Sequence, residues 1–215
     1  MDSRENPPAL PSRGARTREA LIRAGRKLFA ERPVDAVAID DIVQAAAVAK
    51  GSFYNHFPDK EALVRSIIDE IRAGIERAVD VANDGIEDPA RRTVRGICVY
   101  LRYVIDQADR AGVLVRLQTG LTSVTAPLNQ GVVQDVTAGL AQGRFSLATM
   151  EAGVLFVMGV AQIALVRIAQ EPSPALAVAL AQQLCALLLR GLGLAPAEAD
   201  AIAAQAADDI IRGGA

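Results

Sequence analysis

The sequence predicts an all-α protein in two parts, a three-helix unit joined by a long helix to a larger helical body. Three observations carry this expectation. Apolar residues recur at three- and four-residue spacing along the chain, and no stretch alternates with the period of a strand. Most of the periodic segments open on Pro, Ser or Thr, which suit the first turn of a helix. Between Ile39 and Phe57, in IDDIVQAAAVAKGSFYNHF, two short helical patterns meet at a three-residue turn.

Composition sets the outer limits. The 215 residues are 51% apolar, ample for a buried core. Net charge is only −2, but its distribution is uneven. Residues 1–60 hold ten basic against eight acidic side chains, whereas residues 61–215 hold thirteen against seventeen. All three lysines, Lys27, Lys50 and Lys60, fall in the first part, as a phosphate-facing segment on an acidic body would require. Cys98 and Cys185 lie far apart in apolar patterns and lack metal or disulfide-framework spacing, so both read as buried thiols in a reducing compartment. The start, MDSRENPPALPSRG, has no apolar core of a secretion signal, and the expected location is the cytoplasm. The run from Ala152 to Val166 falls short of the roughly 20 residues that span a bilayer, so it is expected as a buried helix and no membrane partner is expected.

Residues 1–14, with three prolines, are expected as a flexible tail whose Arg13, with Arg16 and Arg18 beyond it, is either an arm for a minor groove or simply solvated. A first amphipathic helix is predicted from Ala15 to Arg32, with Leu21, Ala24, Leu28 and Phe29 inward, and Pro33 stops it. A second follows over Ile39–Ala46, then the turn Ala47-Val48-Ala49, then a third over Lys50–His56 with Phe53 and Phe57 as its core face. This unit covers residues 15–62. Asp59 is placed to cap a fourth helix in which Leu63, Ile67, Ile71, Ile75 and Val79 repeat every four residues, making residues 63–85 a connecting helix. The body, 86–212, is predicted as helices at Pro89–Ala108, Ala111–Thr119, Pro127–Gln142, Ala148–Gln170, Pro174–Arg190 and Pro196–Arg212.

The donors and aromatics Lys50, Ser52, Tyr54, Asn55 and His56 crowd the second half of the turn motif, the layout of a helix-turn-helix that enters DNA. Together with Ala24 to Glu31, with Ile39, Ile42, Ala45 and Ala46, and with Lys50-Gly51-Ser52-Phe53-Tyr54-Asn55-His56-Phe57 running into Asp59-Lys60-Glu61-Ala62-Leu63, this stretch resembles the TetR family of bacterial transcriptional regulators. Gly51 lets the backbone approach a groove floor or a phosphate, Lys50 reaches a guanine edge or a phosphate, and Ser52 and Asn55 face outward three residues apart. The resemblance implies phosphate contacts for Tyr54 and His56. Lys60 with the first amides of the fourth helix suits an anion, and Thr17 and Arg18 would clamp another phosphate from the first helix. The sequence also departs from the family pattern. Val37 and Ala38 stand where hydroxyl residues usually begin the second helix, with Asp40 or Asp35 as substitute caps. Ala47 replaces a turn glycine, and Ala49 lacks the usual capping hydroxyl, a loss of about 0.5–2 kcal/mol.

One helix-turn-helix covers little of a duplex, so a two-fold pair on a palindromic double-stranded DNA operator is expected. The apolar, Gly- and Ala-rich helices near 148–170 and 174–190 are the expected homodimer surface, the alternative being that they form the core of one chain. By resemblance the helices between would surround a cavity for a small-molecule effector. Its candidate contacts are Arg102, Arg116, Gln118, Thr119, Thr122 and Gln162, with Tyr100, Tyr103 and Phe156 as aromatics, and an apolar or weakly anionic ligand near Arg102 or Arg116 is the expected occupant. The body has no histidine, paired thiol or glycine-rich phosphate loop, so no enzyme, cofactor or metal is expected. The reading is a ligand-responsive repressor released from its operator by a small molecule. The alternative is a small-molecule-binding helical dimer with weakened or no specific DNA binding.

Overall fold

The computed structural model describes residues 12–116 and 129–213, without the side chains of residues 108, 109 and 116. The chain divides after Ile67 into two units. Every regular element among the described residues is helical, as the periodicity predicts.

In the first unit, helix α1 spans Arg13–Glu31. It starts two residues earlier than predicted because Ser12 caps it, its Oγ accepting the Ala15 N–H at 3.2 Å. Arg13 therefore belongs to the helix and not to the tail. Pro33 ends it as expected, with Arg32 already extended. After a 3-10 turn at Val34–Ala36 come α2, Ile39–Ala45, and α3, Lys50–Tyr54, which is two residues shorter than predicted. Leu21, Phe29, Ile42, Phe53, Leu63 and Ile67 are buried together with almost no exposure. At Gly25 a Cβ would stand 2.9 Å from the Leu63 side chain, so the glycine lets α1 and the start of the next helix close on each other.

The cap of α2 differs from the expectation. Ala38 at the cap position has no acceptor, and Asp41, not Asp40 or Asp35, takes over: its Oδ2 accepts the Ala38 N–H at 3.3 Å and the Arg32 guanidinium at 3.1 Å. Half of a capping box is thus made. Helix α2 then ends in a Schellman turn, with Val48 N–H donating to Val43 O at 3.0 Å and Ala47 N–H to Gln44 O at 3.1 Å. The same turn closes two later helices with Gly143 (φ 66°) and Gly193 (φ 104°) in the left-handed position, whereas here Ala47 holds it at φ 54°. Ala49 makes no side-chain cap for α3. Helix α4, Lys60–Ala82, is capped as predicted by Asp59, whose Oδ1 accepts the Ala62 N–H at 2.6 Å.

The second unit begins with the part of α4 from Ile68 onward. It continues with α5 (Pro89–Asp106), α6 (Ala108–Arg116), α7 (Gln130–Ala141), α8 (Met150–Gln170), α9 (Pro174–Gly191), α10 (Pro196–Ala207) and a π-helical turn at Asp208–Arg212. Helix α5 is central: its Ala90, Val94, Ile97, Cys98, Leu101 and Val104 are buried in a cluster shared with α7, α8, α9 and α10. Asp88 fixes its start by accepting the Ala90 N–H at 3.0 Å, and Arg144 clamps the same carboxylate with two bonds of 3.0 Å while reaching Glu198 at 2.7 Å. Burial alone would raise the Asp88 pKa, but the Arg144 and Ala90 hydrogen bonds and the charges of Arg144 and Arg91 hold it below its ordinary value.

Helix α8 departs from the buried helix predicted for it. Leu155 and Phe156 are each 40% exposed and Ile163 is 65% exposed, as is Leu187 of α9 at 57%. Both helices are long and apolar enough to cross a membrane, yet each also buries a face in the core cluster, with Val154, Leu165 and Ile168 from α8 and Ala181, Cys185 and Leu188 from α9. One face is thus packed within the chain, and the other carries Leu155, Phe156, Ile163 and Leu187 uncovered by the described residues.

Two stability predictions follow from these contacts. Ala47→Gly should raise the unfolding free energy of the first unit by about 1 kcal/mol in urea denaturation, since glycine relieves the left-handed strain and only part of that gain is offset by its unfolded-state entropy. Asp88→Asn keeps the cap and removes the charge. It should cost about 1–2 kcal/mol at neutral pH, and the gap to wild type should close as the pH falls from the ordinary carboxylate value of 3.8 through the lowered folded value.

Candidate functional site

The exposed surface of α3 is built from its shortness. Phe53 and Phe57 turn inward, with ring centroids 5.8 Å apart, and this fixes which residues turn outward. Lys50, Gly51, Tyr54 and Asn55 are exposed, Ser52 and His56 half-buried. Tyr54 is 52% exposed and leans edge-on against Phe53 with centroids 5.4 Å apart, so its ring is braced while much of the residue meets solvent. A Cβ at Gly51 would meet nothing within 4 Å. Among the described residues no packing calls for glycine there, and the surface above it is open.

The charged neighbours of this surface are already engaged. Lys50 Nζ lies 2.7 Å from Asp40 Oδ1, and that hydrogen bond and charge raise the lysine pKa above its ordinary value. Arg18 donates to Ser66 Oγ at 2.6 Å and lies over the Phe57 ring at 5.4 Å, which holds the guanidinium between α1 and α4. Thr17 donates to Arg13 O at 3.1 Å and keeps its acceptor lone pairs. Lys60 is placed differently from the sequence expectation: its ammonium donates to Val34 O at 2.7 Å and Val37 O at 3.0 Å, tying down the 3-10 turn and leaving one of three N–H donors. Thr17, Arg18, Lys50, Gly51, Ser52, Tyr54, Asn55, His56 and Lys60 all lie in one unit, six of them in or directly after α3.

The second unit contains a cavity of about 360 Å³ between α4, α5, α7 and α8. Its walls are apolar at Ile75, Val79, Ile97, Val132, Val157 and Met158. The polar groups inside are Arg92, Tyr100, Asn129, Asp135 and Gln162, with the exposed Glu76 and Asp80 also among the lining residues. Arg92 Nε donates to Asp135 Oδ1 at 2.7 Å and Nη1 to Ile86 O at 3.2 Å, so this charge pair is internally matched. Burial still pushes the Asp135 carboxyl up against the opposing pull of Arg92. Burial pushes Tyr100 up to about 12 against the opposing charge of Arg72. Gln162 Nε2 is buried and has no hydrogen-bond partner among the described residues.

Of the ligand contacts expected from the sequence, Tyr100 and Gln162 line this cavity. Arg102 lines a separate depression of about 520 Å³ beside Pro174, Val178 and Arg212, and donates to Asp106 at 2.7 Å and Ile211 O at 2.9 Å. Tyr103 accepts a bond from Arg110 at 3.0 Å, and Phe156 lies so close to Gly191 that a Cβ there would stand 2.6 Å from its ring. Neither of these two lines the cavity. Gln118, Thr119, Thr122 and the Arg116 side chain lie outside the described residues. The sequence reading missed Arg92, Asn129 and Asp135. Asp135 carried a signal, as the one acid in the otherwise neutral QGVVQDVTAGLA.

Residues 21–67 match the family described as bacterial regulatory proteins, tetR family, and residues 88–205 match the tetracyclin repressor-like C-terminal domain, more than half of the chain. The HTH-type transcriptional repressor DhaR of Mycobacterium sp. (strain GP1) is 36% identical over 98 residues, 46% of this chain and 48% of its own. The HTH-type transcriptional repressor KstR2 of Mycolicibacterium smegmatis is 31% identical over 84 residues, 37% of this chain and 41% of its own. The chain thus spans about half or less of the length of these curated relatives. Among solved structures, RolR in complex with its ligand resorcinol superposes with a TM-score of 0.63 at 28% identity, over 89% of this chain and 95% of RolR. A tetR family regulator from Shewanella sp. PV-4, with a TM-score of 0.69 at 14% identity over 83% of this chain and 99% of its own, shares the fold. With both parts of the sequence matched and the all-α architecture in place, the chain belongs to the TetR family of bacterial regulatory proteins.

Proposed function

We propose that the chain is a ligand-responsive transcriptional repressor that binds an operator in double-stranded DNA as a two-fold pair and is released when a small molecule fills the cavity of the second unit. The observation that carries this is the outward arc of α3, where Lys50, Tyr54 and Asn55 surround a glycine with open space above it. In this reading Lys50, Ser52 and Asn55 meet base edges, while Thr17, Arg18, Tyr54, His56 and the remaining Lys60 donor hold phosphates. Contact with DNA requires Lys50 to exchange Asp40 for a phosphate or a base, a near-even exchange for an exposed pair. Such a protein acts in the compartment that holds the DNA, the cytoplasm.

The release step rests on α4, which starts beside Val34 and Val37 through Lys60 and farther on supplies Ile75, Glu76 and Val79 to the cavity. A ligand that favours one setting of this helix over another by about 1.4 kcal/mol changes operator occupancy roughly tenfold. RolR, solved both with resorcinol and without ligand, supports a ligand-binding second unit here. The two-fold pair is supported by the uncovered apolar faces of α8 and α9, where a second copy of the same faces would remove Leu155, Phe156, Ile163 and Leu187 from water. The missing side-chain caps at Ala38 and Ala49 favour a second reading, a ligand-binding dimer without specific DNA binding.

A salt titration of binding to a duplex selected from a random library separates the two readings. Lys50→Ala and Tyr54→Ala should each weaken binding about tenfold and lower the salt slope by about one if the lost contact is to a phosphate. Equal affinity of wild type and both variants for selected and random duplexes would overturn the repressor reading. Asp40→Asn should tighten binding to random DNA by a few-fold, because it frees Lys50 and removes a carboxylate beside it; weaker binding would mean that Asp40 positions the lysine. For the pair, Ile163→Glu combined with Leu187→Glu should convert a dimer to a folded monomer in sedimentation at micromolar concentration, and an unchanged dimer would place the contact elsewhere.

A further inference from the structure

The cavity between α4, α5, α7 and α8 also carries information on what it accepts. Its interior charges are closed on each other: Arg92 already meets Asp135 at 2.7 Å and Ile86 O at 3.2 Å. An anion would have to break that pair and then lie near Asp135, Glu76 and Asp80, three carboxylates against the one guanidinium among the lining residues and the Arg72 charge that reaches Tyr100 from beyond them. A cation would have to leave the exposed Glu76 and Asp80 and enter among Ile97, Val157 and Met158 with no unmatched carboxylate to receive it. Net charge of either sign is therefore disfavoured inside.

Two neutral polar groups, Gln162 and Tyr100, are the ones left open among the described residues. Gln162 Nε2 is buried without a partner among the described residues, and a buried amide that stays unpaired is costly enough that a ligand able to pair it gains selectivity. The Tyr100 hydroxyl, neutral at physiological pH, makes no hydrogen bond to the described residues and both donates and accepts. A hydroxyl on the ligand matches either group, and it does so whichever way the Gln162 amide is turned, because it too donates and accepts. Around these groups the walls are aliphatic with one thioether, at Met158, and the volume of about 360 Å³ is at the small end for ligand pockets.

We infer that the cavity takes a neutral, hydroxyl-bearing, otherwise apolar molecule about the size of a substituted benzene ring, held by Gln162 and Tyr100. This rests on the proposed reading of the cavity as the effector site, and it replaces the weakly anionic ligand expected near Arg102 or Arg116. Arg102 lies at a different depression, with partners of its own.

Isothermal titration of the full chain with 4-ethylphenol, 4-ethylbenzoate and 4-ethylbenzylammonium tests the inference. 4-Ethylphenol should bind at least about tenfold more tightly than either charged probe, and Gln162→Leu should weaken it about tenfold while leaving the melting transition in place. Gly96→Leu fills the cavity from a position where a Cβ meets only Val79, at 3.7 Å, and should abolish binding; Ala161→Leu serves as a second filler. The inference is overturned if a charged probe binds as tightly, if Gln162→Leu binds 4-ethylphenol like wild type, or if 4-ethylphenol does not bind at millimolar concentration. Binding of all three probes that both fillers abolish would keep the cavity as a ligand site with the class wrong. Binding that survives both fillers would remove the cavity reading itself.

Discussion

A helix of five residues cannot hold itself together in water, because its nucleation cost exceeds the few hydrogen bonds it makes. Helix α3 is such a helix, and it has no side-chain cap. What keeps it in place is the burial of Phe53 and Phe57 as α3 packs on α1 and α2, helped by the Arg18 guanidinium over Phe57 and by the Lys60 tie to the preceding turn. Burying two phenylalanines contributes roughly 3–6 kcal/mol by transfer, more than the caps that are absent would add. The geometry of the outward residues is therefore a product of the inward ones. Lys50 and Tyr54 point where they do because Phe53 cannot point anywhere else.

How much of this was legible in the sequence depends on whether a residue's role is local. The element order, the Asp59 cap and the breaks at Pro33 and Gly85 follow from a few consecutive residues, and they match the structure within a few residues. Ala47 was flagged because its turn needs a left-handed residue whatever surrounds it. The cap of α2 was misassigned because Asp35, Asp40 and Asp41 are equivalent on paper. Arg32 and Lys50, which sort them, come from other elements.

The cavity was less legible for the same reason. Tyr100 and Gln162 could be picked out as polar groups on apolar helices, but so could Arg102, and only the packing of four helices decides which of them share a space. Charges on α5 act mainly as ties: Arg91 to Gln205, Arg92 to Asp135, Arg95 to the Ala82 carbonyl and Asp209. An arginine on an amphipathic helix was therefore a poor guide to an open polar group, whereas the Gln162 amide has no partner among the described residues.

Gly51 gives the last point. Every other glycine with a contact within 3 Å of its absent Cβ is tied to a neighbour inside its own chain, as Gly25 is to Leu63 and Gly139 is to Phe145. Changes at such positions can be compensated by a second change in the same protein. None of the described residues touches the space above Gly51, so under the proposed function no change among them can compensate for a substitution there. The compensating change would have to arise in the operator, so the history of this position would be written in a different molecule from the one that carries it.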